Sequence, residues 1–360
     1  FEQRRGALSD TICLWLRSSD SSGQRVLAGS STGEVIRWGI IGTGGIASAF
    51  ARDLQLLPDS ELGAVGSRTQ GAADAFADRF NVPCRYSNYE ALVSDRGVDA
   101  VYVATPHPHH HAAALMALRA GKPVLCEKPF TLNAVQANEL ISFAREGGIF
   151  LMEAMWTRFL PHMVRLRELI SSGVLGEIRT VVADHGQRFP FDPGHRLFAP
   201  MLGGGALLDL GVYPLSFASA ILGTPQQVTA VSDQALTGVD AQTSILLQYA
   251  GGAHAVITTT LEAQGSNRAS VVGTEARIEI DEVWYTQTSF SLVRPGAGAP
   301  ERYVSPGIGH GLRYEAAEVA RCLRQGLTES PVMPLDETRS IMTTMDQVRA
   351  QIGLRYPFEG

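Results

Sequence analysis

Cysteine, net positive charge and long apolar runs are all scarce in this chain, and each scarcity excludes a class of protein. Four cysteines in 360 residues (Cys13, Cys84, Cys126 and Cys322) are scattered, with no Cys-x-x-Cys pair and no histidine at zinc-finger spacing. That usage argues against a disulfide framework or a structural zinc site and suits a thiol-bearing protein of the cytoplasm. No uninterrupted apolar run reaches about 18 residues, so no membrane span is expected. With 30 Lys+Arg against 36 Asp+Glu the formal charge is −6, which disfavours a surface built for nucleic acid or anionic lipid but leaves room for a local pocket around one phosphate group. Disorder and collagen-like repetition are excluded too: 45% of residues are hydrophobic, 18% are charged, and the 37 glycines and 18 prolines have no period.

A length of 360 residues, at roughly 100 to 200 per domain, calls for two domains. Residues 1–34 carry a short apolar patch from Thr11 to Leu16 and a Ser/Gly-rich run from Ser18 to Gly33. They lack the longer apolar core and small-residue cleavage site of a signal peptide, and read as a flexible extension outside the fold. Folded patterning begins at Val35. Strands at Val35–Ile41, Glu61–Ser67, Asp99–Thr105 and Pro123–Glu127 alternate with helices ending near Leu57 and at Gly71–Phe80, His110–Ala120 and Leu132–Arg145. Strict alternation of buried strands with helices predicts an α/β fold, a doubly wound parallel sheet over residues 35–155. After a helix at His162–Ser171 the rhythm changes. A long strand (Glu177–Gln187) and a helix (Ala206–Leu222) precede β-patterned segments at Gln227–Ser232, Thr243–Tyr249, Ala253–Leu261, Ala269–Gly273, Arg277–Ile280 and Tyr285–Val293. Strands without intervening helices predict an α+β second domain over residues 156–360, with a large, mostly antiparallel sheet covered on one face. Helices at Tyr314–Gln325 and Asp336–Gly353 are expected to pack back on the structure.

Gly42-Thr43-Gly44-Gly45-Ile46-Ala47 lies between a buried strand and a helix, the context that a dinucleotide fingerprint requires. Gly42 permits the tight turn, Gly44 lets the backbone approach a pyrophosphate, and Ala47 allows close packing of helix on strand. The helix N-terminus then offers free N–H groups to phosphate. At the end of the second strand, where a carboxylate would bind the 2′-hydroxyl of NAD, the chain reads Ser67-Arg68-Thr69, with Arg68 24 residues beyond Gly44 (68 − 44). A carboxylate would repel a 2′-phosphate, whereas Arg68 and the flanking hydroxyls can bind it, so NADP(H) is expected over NAD(H).

Thr105-Pro106-His107-Pro108-His109-His110-His111 follows the next strand. The four histidines are adjacent rather than spaced as metal ligands, and the prolines oppose a helix through His107, so a nicotinamide-facing loop and helix cap is the expected role and no metal is. Glu127-Lys128-Pro129 ends the following strand and presents Lys128 at the same sheet edge.

These motifs, followed by Gly203-Gly204-Gly205-Ala206-Leu207-Leu208-Asp209-Leu210-Gly211-Val212-Tyr213-Pro214, occur in the order seen in the glucose-fructose oxidoreductase/inositol dehydrogenase/MocA family. The resemblance runs from about Val35 to the C-terminus. Glu153 to Phe159 and Arg196-Leu197-Phe198 look most like its branch of dimeric dihydrodiol dehydrogenases and NADP-dependent D-xylose dehydrogenases. The resemblance implies a Rossmann domain, an open-faced sheet domain, a site in the cleft between them, and a homodimer or homotetramer formed through the open sheet. His107 departs from it, since many members carry Asn there. Tyr213 stands where other branches often carry His.

The resemblance makes Tyr213 the acid/base of a hydride transfer between nicotinamide and a hydroxyl or carbonyl carbon of a sugar or cyclic diol. A free tyrosine, with a pKa of about 10, is too weakly acidic for that work at neutral pH, and Lys128 is expected to favour its phenolate. Asp209 lies four residues before Tyr213, so on a helix the two share a face. Without the other motifs the same pair reads as a helix cap and a core aromatic. Trp156, Arg158, Phe159 and Arg196 are expected to line the substrate pocket as an aromatic wall with polar donors, and Trp156 and Phe159 read equally well as core at the domain interface. Two alternatives stand beside the dehydrogenase: a non-catalytic NADP-sensing regulator of the same fold, which could dispense with Lys128 and Tyr213, and a sugar–sugar oxidoreductase that holds its cofactor tightly.

Overall fold

The computed structural model describes residues 35–296, 298–357 and 359. The expected extension at residues 1–34 lies outside the described residues. The first sheet is formed by β1 (Ile36–Ile41), β2 (Ser60–Gly66), β3 (Cys84–Tyr86), β4 (Ala100–Val103), β5 (Val124–Glu127) and β6 (Leu151–Ala154), all parallel in the order β3-β2-β1-β4-β5-β6; β4, β5 and β6 are buried throughout, whereas β3 at the edge is half-exposed. Between them run α1 (Gly45–Leu54), α2 (Gln70–Phe80), α3 (Tyr89–Ser94), α4 (His110–Arg119) and α5 (Ala134–Gly147). In α1 the residues Ala47, Phe50, Ala51 and Leu54 are buried at helical spacing. Phe50 stacks on Tyr102 at 3.8 Å and meets Trp38 edge-on at 5.3 Å, which fixes α1, and the loop that opens it, over the sheet.

The second half begins with a 3-10 turn at Trp156–Phe159 and α6 (Pro161–Ser171), then β7 (Ile178–Gly186). A π-helical turn at Leu207–Gly211 runs straight into α7 (Val212–Leu222). There follow β8 (Gln227–Gln234), β9 (Asp240–Gln248), β10 (His254–Thr260), β11 (Ala269–Gly273), β12 (Arg277–Ile280), β13 (Phe290–Val293) and β14 (Glu301–Tyr303), then α8 (Arg313–Arg324) and α9 (Leu335–Ile352). The eight-stranded sheet has the order β14-β13-β12-β11-β7-β10-β9-β8 and is antiparallel except where β10 runs beside β7. Strand β10 alternates exposed and buried residues along its length. Its buried face packs on α7, and its other face carries exposed Val256, paired in register with exposed Val182 and Leu246. The stretch Pro200–Leu222 is long and apolar enough to cross a membrane by composition, yet 78% of its most apolar window is buried inside the fold, where it packs as a central core element. Helix α9 contacts α5 and β6 of the first layer as well as α7 and β8 of the second.

The expected strand at Tyr285–Val293 is shorter than its pattern. Thr286 N–H bonds back to the Val283 carbonyl in a turn, and only Phe290–Val293 pairs. Elements β3, β6, β14 and α3 have 3 to 6 residues, too few for a period to show in the sequence.

Candidate active site

Every motif of the first domain emerges at the C-terminal edge of the parallel sheet: Gly42 after β1, Ser67 after β2, Thr105 after β4 and Glu127-Lys128 at the end of β5. In an open α/β sheet the ligand crevice lies at the reversal of strand order, here between β1 and β4. Gly42 has φ +109°, and a Cβ on it would sit 2.6 Å from the Ala104 carbonyl oxygen, so only glycine fits. Among the described residues nothing comes within 4 Å of a Cβ placed on Gly44 or Gly45, no side chain caps the N-terminus of α1, and the buried Thr105 hydroxyl has no partner. Thr43 and Ser67 place their hydroxyls 3.5 Å apart beside this opening, and Ile46 is half-buried above it. Bare N–H groups, an uncrowded backbone and an orphaned hydroxyl suit a dinucleotide phosphate and its nicotinamide end. Arg68 lies exposed at the end of β2 and ion-pairs with no described residue. Thr69 is committed locally, its hydroxyl capping α2 at the Ala72 N–H.

The histidine segment divides. His107 lies in a short 3-10 turn, with Nδ1 3.1 Å from the Gly203 carbonyl oxygen and Nε2 3.5 Å from Asp209. His110 is buried between the carbonyl oxygens of Thr105 and Pro129, 2.8 Å from each, and ties the two motif loops together. Burial lowers its pKa to about 3 against the pull of the two carbonyls, so the neutral ring has a single N–H and donates it to one of them at a time. Pro106 is exposed. Among the described residues no cluster of His, Cys, Asp or Glu could hold a metal ion.

Lys128 and the Gly203–Tyr213 segment meet across the two halves. Lys128 Nζ donates to the Asp209 backbone carbonyl at 2.9 Å and to its carboxylate at 3.2 Å. Arg196 holds the same carboxylate with two bonds, at 2.9 and 3.2 Å. Burial opposes the charge on Asp209, but Lys128, His107 and Arg196 outweigh it and hold its pKa well below the carboxylate range. Burial likewise opposes the charge on Lys128, and Asp209 and its other neighbours override it, so Lys128 stays a cation. The Lys128 ammonium lies 4.8 Å from the centre of the Tyr213 ring, and Trp156 Nε1 donates to the Tyr213 hydroxyl at 3.0 Å. The π-helical turn carries Asp209 and ends just before Tyr213, so both reach Lys128; such turns concentrate at functional sites.

The surroundings refine three expectations. Burial is the larger influence on Tyr213 and raises its pKa above the ordinary value, while Lys128 acts in the expected direction and lowers it. Arg158 makes no hydrogen bond or ion pair to this cluster among the described residues, although it lines a small cavity together with Tyr213. It is 5% exposed and spends its guanidinium on Ser216, Val332 and Glu337, bracing α7 against α9. Glu127 keeps both carboxylate oxygens for the protein, taking the Tyr102 hydroxyl on one and the Lys128 N–H at 3.1 Å on the other.

The sequence reading missed His185, Gln187 and Tyr285. His185 lies edge-on to Tyr213 at 5.1 Å and stacked on Tyr285 at 3.7 Å, while Gln187 donates to the Tyr285 hydroxyl at 3.1 Å. With Trp156 they form an aromatic wall that carries polar edges. His185 shares its strand phase with buried Val181 and Ala183, so a histidine on an inward-facing position was the available signal.

Comparison with known proteins agrees with this geometry. Residues 36–155 match the model of the oxidoreductase family with an NAD-binding Rossmann fold, and residues 163–279 match the Gfo/Idh/MocA C-terminal domain. The chain belongs to the Gfo/Idh/MocA oxidoreductase family. It is therefore a dehydrogenase or reductase acting on CH–OH groups. Among relatives of this Gfo/Idh/MocA protein, trans-1,2-dihydrobenzene-1,2-diol dehydrogenase of Bos taurus is 39% identical over 331 residues, covering 89% of this chain and 98% of the relative. The Homo sapiens enzyme of the same name is 38% identical over 334 residues, with the same coverage. KijD10, a 3-ketoreductase from Actinomadura kijaniata solved with NADP and TDP-benzene, is similar at a TM-score of 0.78 and 30% identity, over 89% of this chain and 98% of its own. An aldose-aldose oxidoreductase from Caulobacter crescentus has a TM-score of 0.81 at 25% identity, over 88% and 97%.

Proposed function

We propose that this chain is an NADP(H)-dependent oxidoreductase that interconverts a hydroxyl and a carbonyl on a cyclic diol or sugar, with Tyr213 as acid/base and Lys128 as its electrostatic partner. The observation that carries the reading is the convergence of Lys128, Asp209 and Tyr213, from two separate halves of the chain, beside the dinucleotide crevice. The dihydrodiol dehydrogenases and the NADP-bound ketoreductase among its relatives support the substrate class and the cofactor. Gly42, Gly44, Gly45 and the α1 N-terminus would hold the pyrophosphate, Arg68 and Ser67 the 2′-phosphate, and Thr105 with His107 the nicotinamide end. Bound there, the cofactor supplies or accepts the hydride.

The protein's own part is the proton. In carbonyl reduction the Tyr213 hydroxyl gives its proton to the substrate oxygen while the Lys128 ammonium steadies the charge developing on that oxygen. In alcohol oxidation the path reverses, and Tyr213 must first be deprotonated. Asp209 keeps Lys128 charged and accepts a neighbouring substrate hydroxyl. Trp156, His185 and Tyr285 exclude water and hold the ring. Two chains joined through the apolar face of β7, β9 and β10 complete the proposed assembly.

A screen of trans-1,2-dihydrobenzene-1,2-diol, other cyclic diols and aldoses with NADP, followed by NADPH absorbance, tests this function. Turnover of at least one class supports it, and silence across all of them contradicts it. Arg68→Asp is expected to weaken NADP about 10- to 100-fold, the worth of a charged hydrogen bond, and to change NAD far less. Equal effects in cofactor titrations would remove Arg68 from the 2′-phosphate site.

The raised Tyr213 pKa also sets a pH dependence. Because the phenol holds its proton through neutral pH, carbonyl reduction is expected to be flat between about pH 6 and 9. Alcohol oxidation, which needs the deprotonated form, should climb towards tenfold per pH unit over that range in kcat/KM. An oxidation profile that levels off below about pH 8 would place the base elsewhere.

A further inference from the structure

The active site is assembled from two loops belonging to different halves of the chain, and the segment following α9 touches both. On one side the Tyr356 hydroxyl donates to the Gly204 carbonyl at 2.6 Å, with Tyr356 3% exposed. On the other, Arg349 of α9 donates to the Leu132 carbonyl at 2.9 Å, and Asp346 accepts the Ala134 N–H at 2.8 Å. Glu359 closes the device. It pairs with Arg349, accepts the Tyr356 N–H at 3.1 Å, and accepts the Asn133 side-chain amide at 2.8 Å. The Arg349 guanidinium lies 4.8 Å from the centre of the Tyr356 ring, and with 6% of its side chain exposed it can reach few other partners.

Each anchored point lies close to the chemistry. Leu132 and Asn133 follow Lys128 by four and five residues, and Gly204 precedes Asp209 by five. The Gly203–Gly205 loop has almost no freedom of its own. Gly205 has φ +118° and leaves no room for a Cβ beside Asp240, while a Cβ on Gly204 would sit 2.7 Å from the Leu197 carbonyl oxygen. Asp240 in turn accepts the Leu207 N–H at 2.7 Å at the start of the π-helical turn. A shift of the Gly204 carbonyl is therefore passed to Asp209 rather than absorbed in the loop.

We propose that Tyr356, Arg349 and Glu359 form a clamp that sets the position of Asp209 and Tyr213 relative to Lys128, with Tyr356 and Glu359 as positioning residues for the reaction. This inference rests on the reading of Lys128, Asp209 and Tyr213 as the catalytic cluster. None of the three clamp side chains touches that cluster, so they act through the loops they hold. Displacements of about 1 Å at a reacting centre cost up to 100-fold in rate, which makes such a clamp visible in kcat.

The test compares Tyr356→Phe, which removes one hydroxyl, and Glu359→Gln, which removes one charge, with the wild type and with Tyr213→Phe. Turnover uses trans-1,2-dihydrobenzene-1,2-diol with NADP, and amide hydrogen exchange is followed over residues 203–211. The expected result is a fall in kcat of about tenfold in each clamp variant, a change in KM and NADP affinity of less than about threefold, and faster exchange confined to residues 203–211. Wild-type kcat with unchanged local exchange overturns the clamp. So does a loss of kcat that only tracks loss of folded protein, with exchange rising throughout. If the wild type does not use this diol, the kinetics are run on whichever screened diol or aldose it does turn over; if it turns over none of them, or if Tyr213→Phe turns over like the wild type, the catalytic reading fails instead, and the exchange data still decide whether the segment restrains the loop.

Discussion

Tyr213→Phe and Lys128→Met are each expected to lower turnover by about 10²- to 10⁴-fold, the range for loss of a positioned proton-transfer group, while NADP binding stays close to wild type. The two should differ in secondary effects. Removing the Tyr213 hydroxyl leaves the Trp156 N–H, now 3.0 Å from it, without an acceptor, a cost of about 1–3 kcal/mol in a buried site. Removing the Lys128 ammonium leaves Asp209 with Arg196 as its main cation. The Lys128→Met enzyme should therefore fold and bind cofactor but lack the charge that steadies the substrate oxygen. Steady-state kinetics alongside cofactor titration checks both. Near-normal turnover in both variants would remove the assigned pair.

Asp209→Asn is the second large expected effect. The amide preserves shape but removes the charge shared by Lys128 and Arg196. Breaking a buried ion pair on one side costs about 3–5 kcal/mol; because the Arg196 side chain is 52% exposed and can turn to water, the lower end of that range applies here. Thermal unfolding of the variant should start correspondingly earlier. There is a functional signature too. Asp209 is the leading influence holding the Lys128 pKa above its ordinary value, so in Asp209→Asn the ammonium should lose its proton at lower pH. Carbonyl reduction would then decline on the alkaline side where the wild type does not. A variant as stable as wild type, with an unaltered alkaline limb, would show that Asp209 is not the partner that keeps Lys128 charged.

Legibility in the sequence depended on whether a role was set by local chemistry or by packing. Gly42 and Gly44 were readable because a tight turn and close approach to phosphate leave little choice of residue, and the abrupt change of strand rhythm after Trp156 marked the second sheet. Arg158 was misread. Its neighbour Trp156 does face Tyr213, but the partner that decides the guanidinium's direction, Glu337, lies 179 residues away. The net shift of the Tyr213 pKa was not legible for a different reason. Proximity to Lys128 could be inferred from the motifs, whereas the depth of burial that outweighs it could not. His185 and Tyr285 join the site through the pairing of β7 with distant strands, and only the phase of His185 within its own strand hinted at it. The clamp was invisible, because Tyr356 and Glu359 bear no motif and acquire meaning only where α9 delivers them to the Gly204 and Asn133 loops.

Transfer of deuterium from substrate to cofactor reports directly on hydride transfer governed by Lys128 and Tyr213. The protein is incubated with NADP and trans-1,2-dihydrobenzene-1,2-diol carrying deuterium on its carbinol carbons, and the reduced cofactor is analysed by mass spectrometry. Deuterated NADPH is expected from the wild type, with a trace at most from Lys128→Met and Tyr213→Phe over the same time. NADPH without deuterium, or equal deuterium from all three proteins, would contradict hydride transfer governed by this pair.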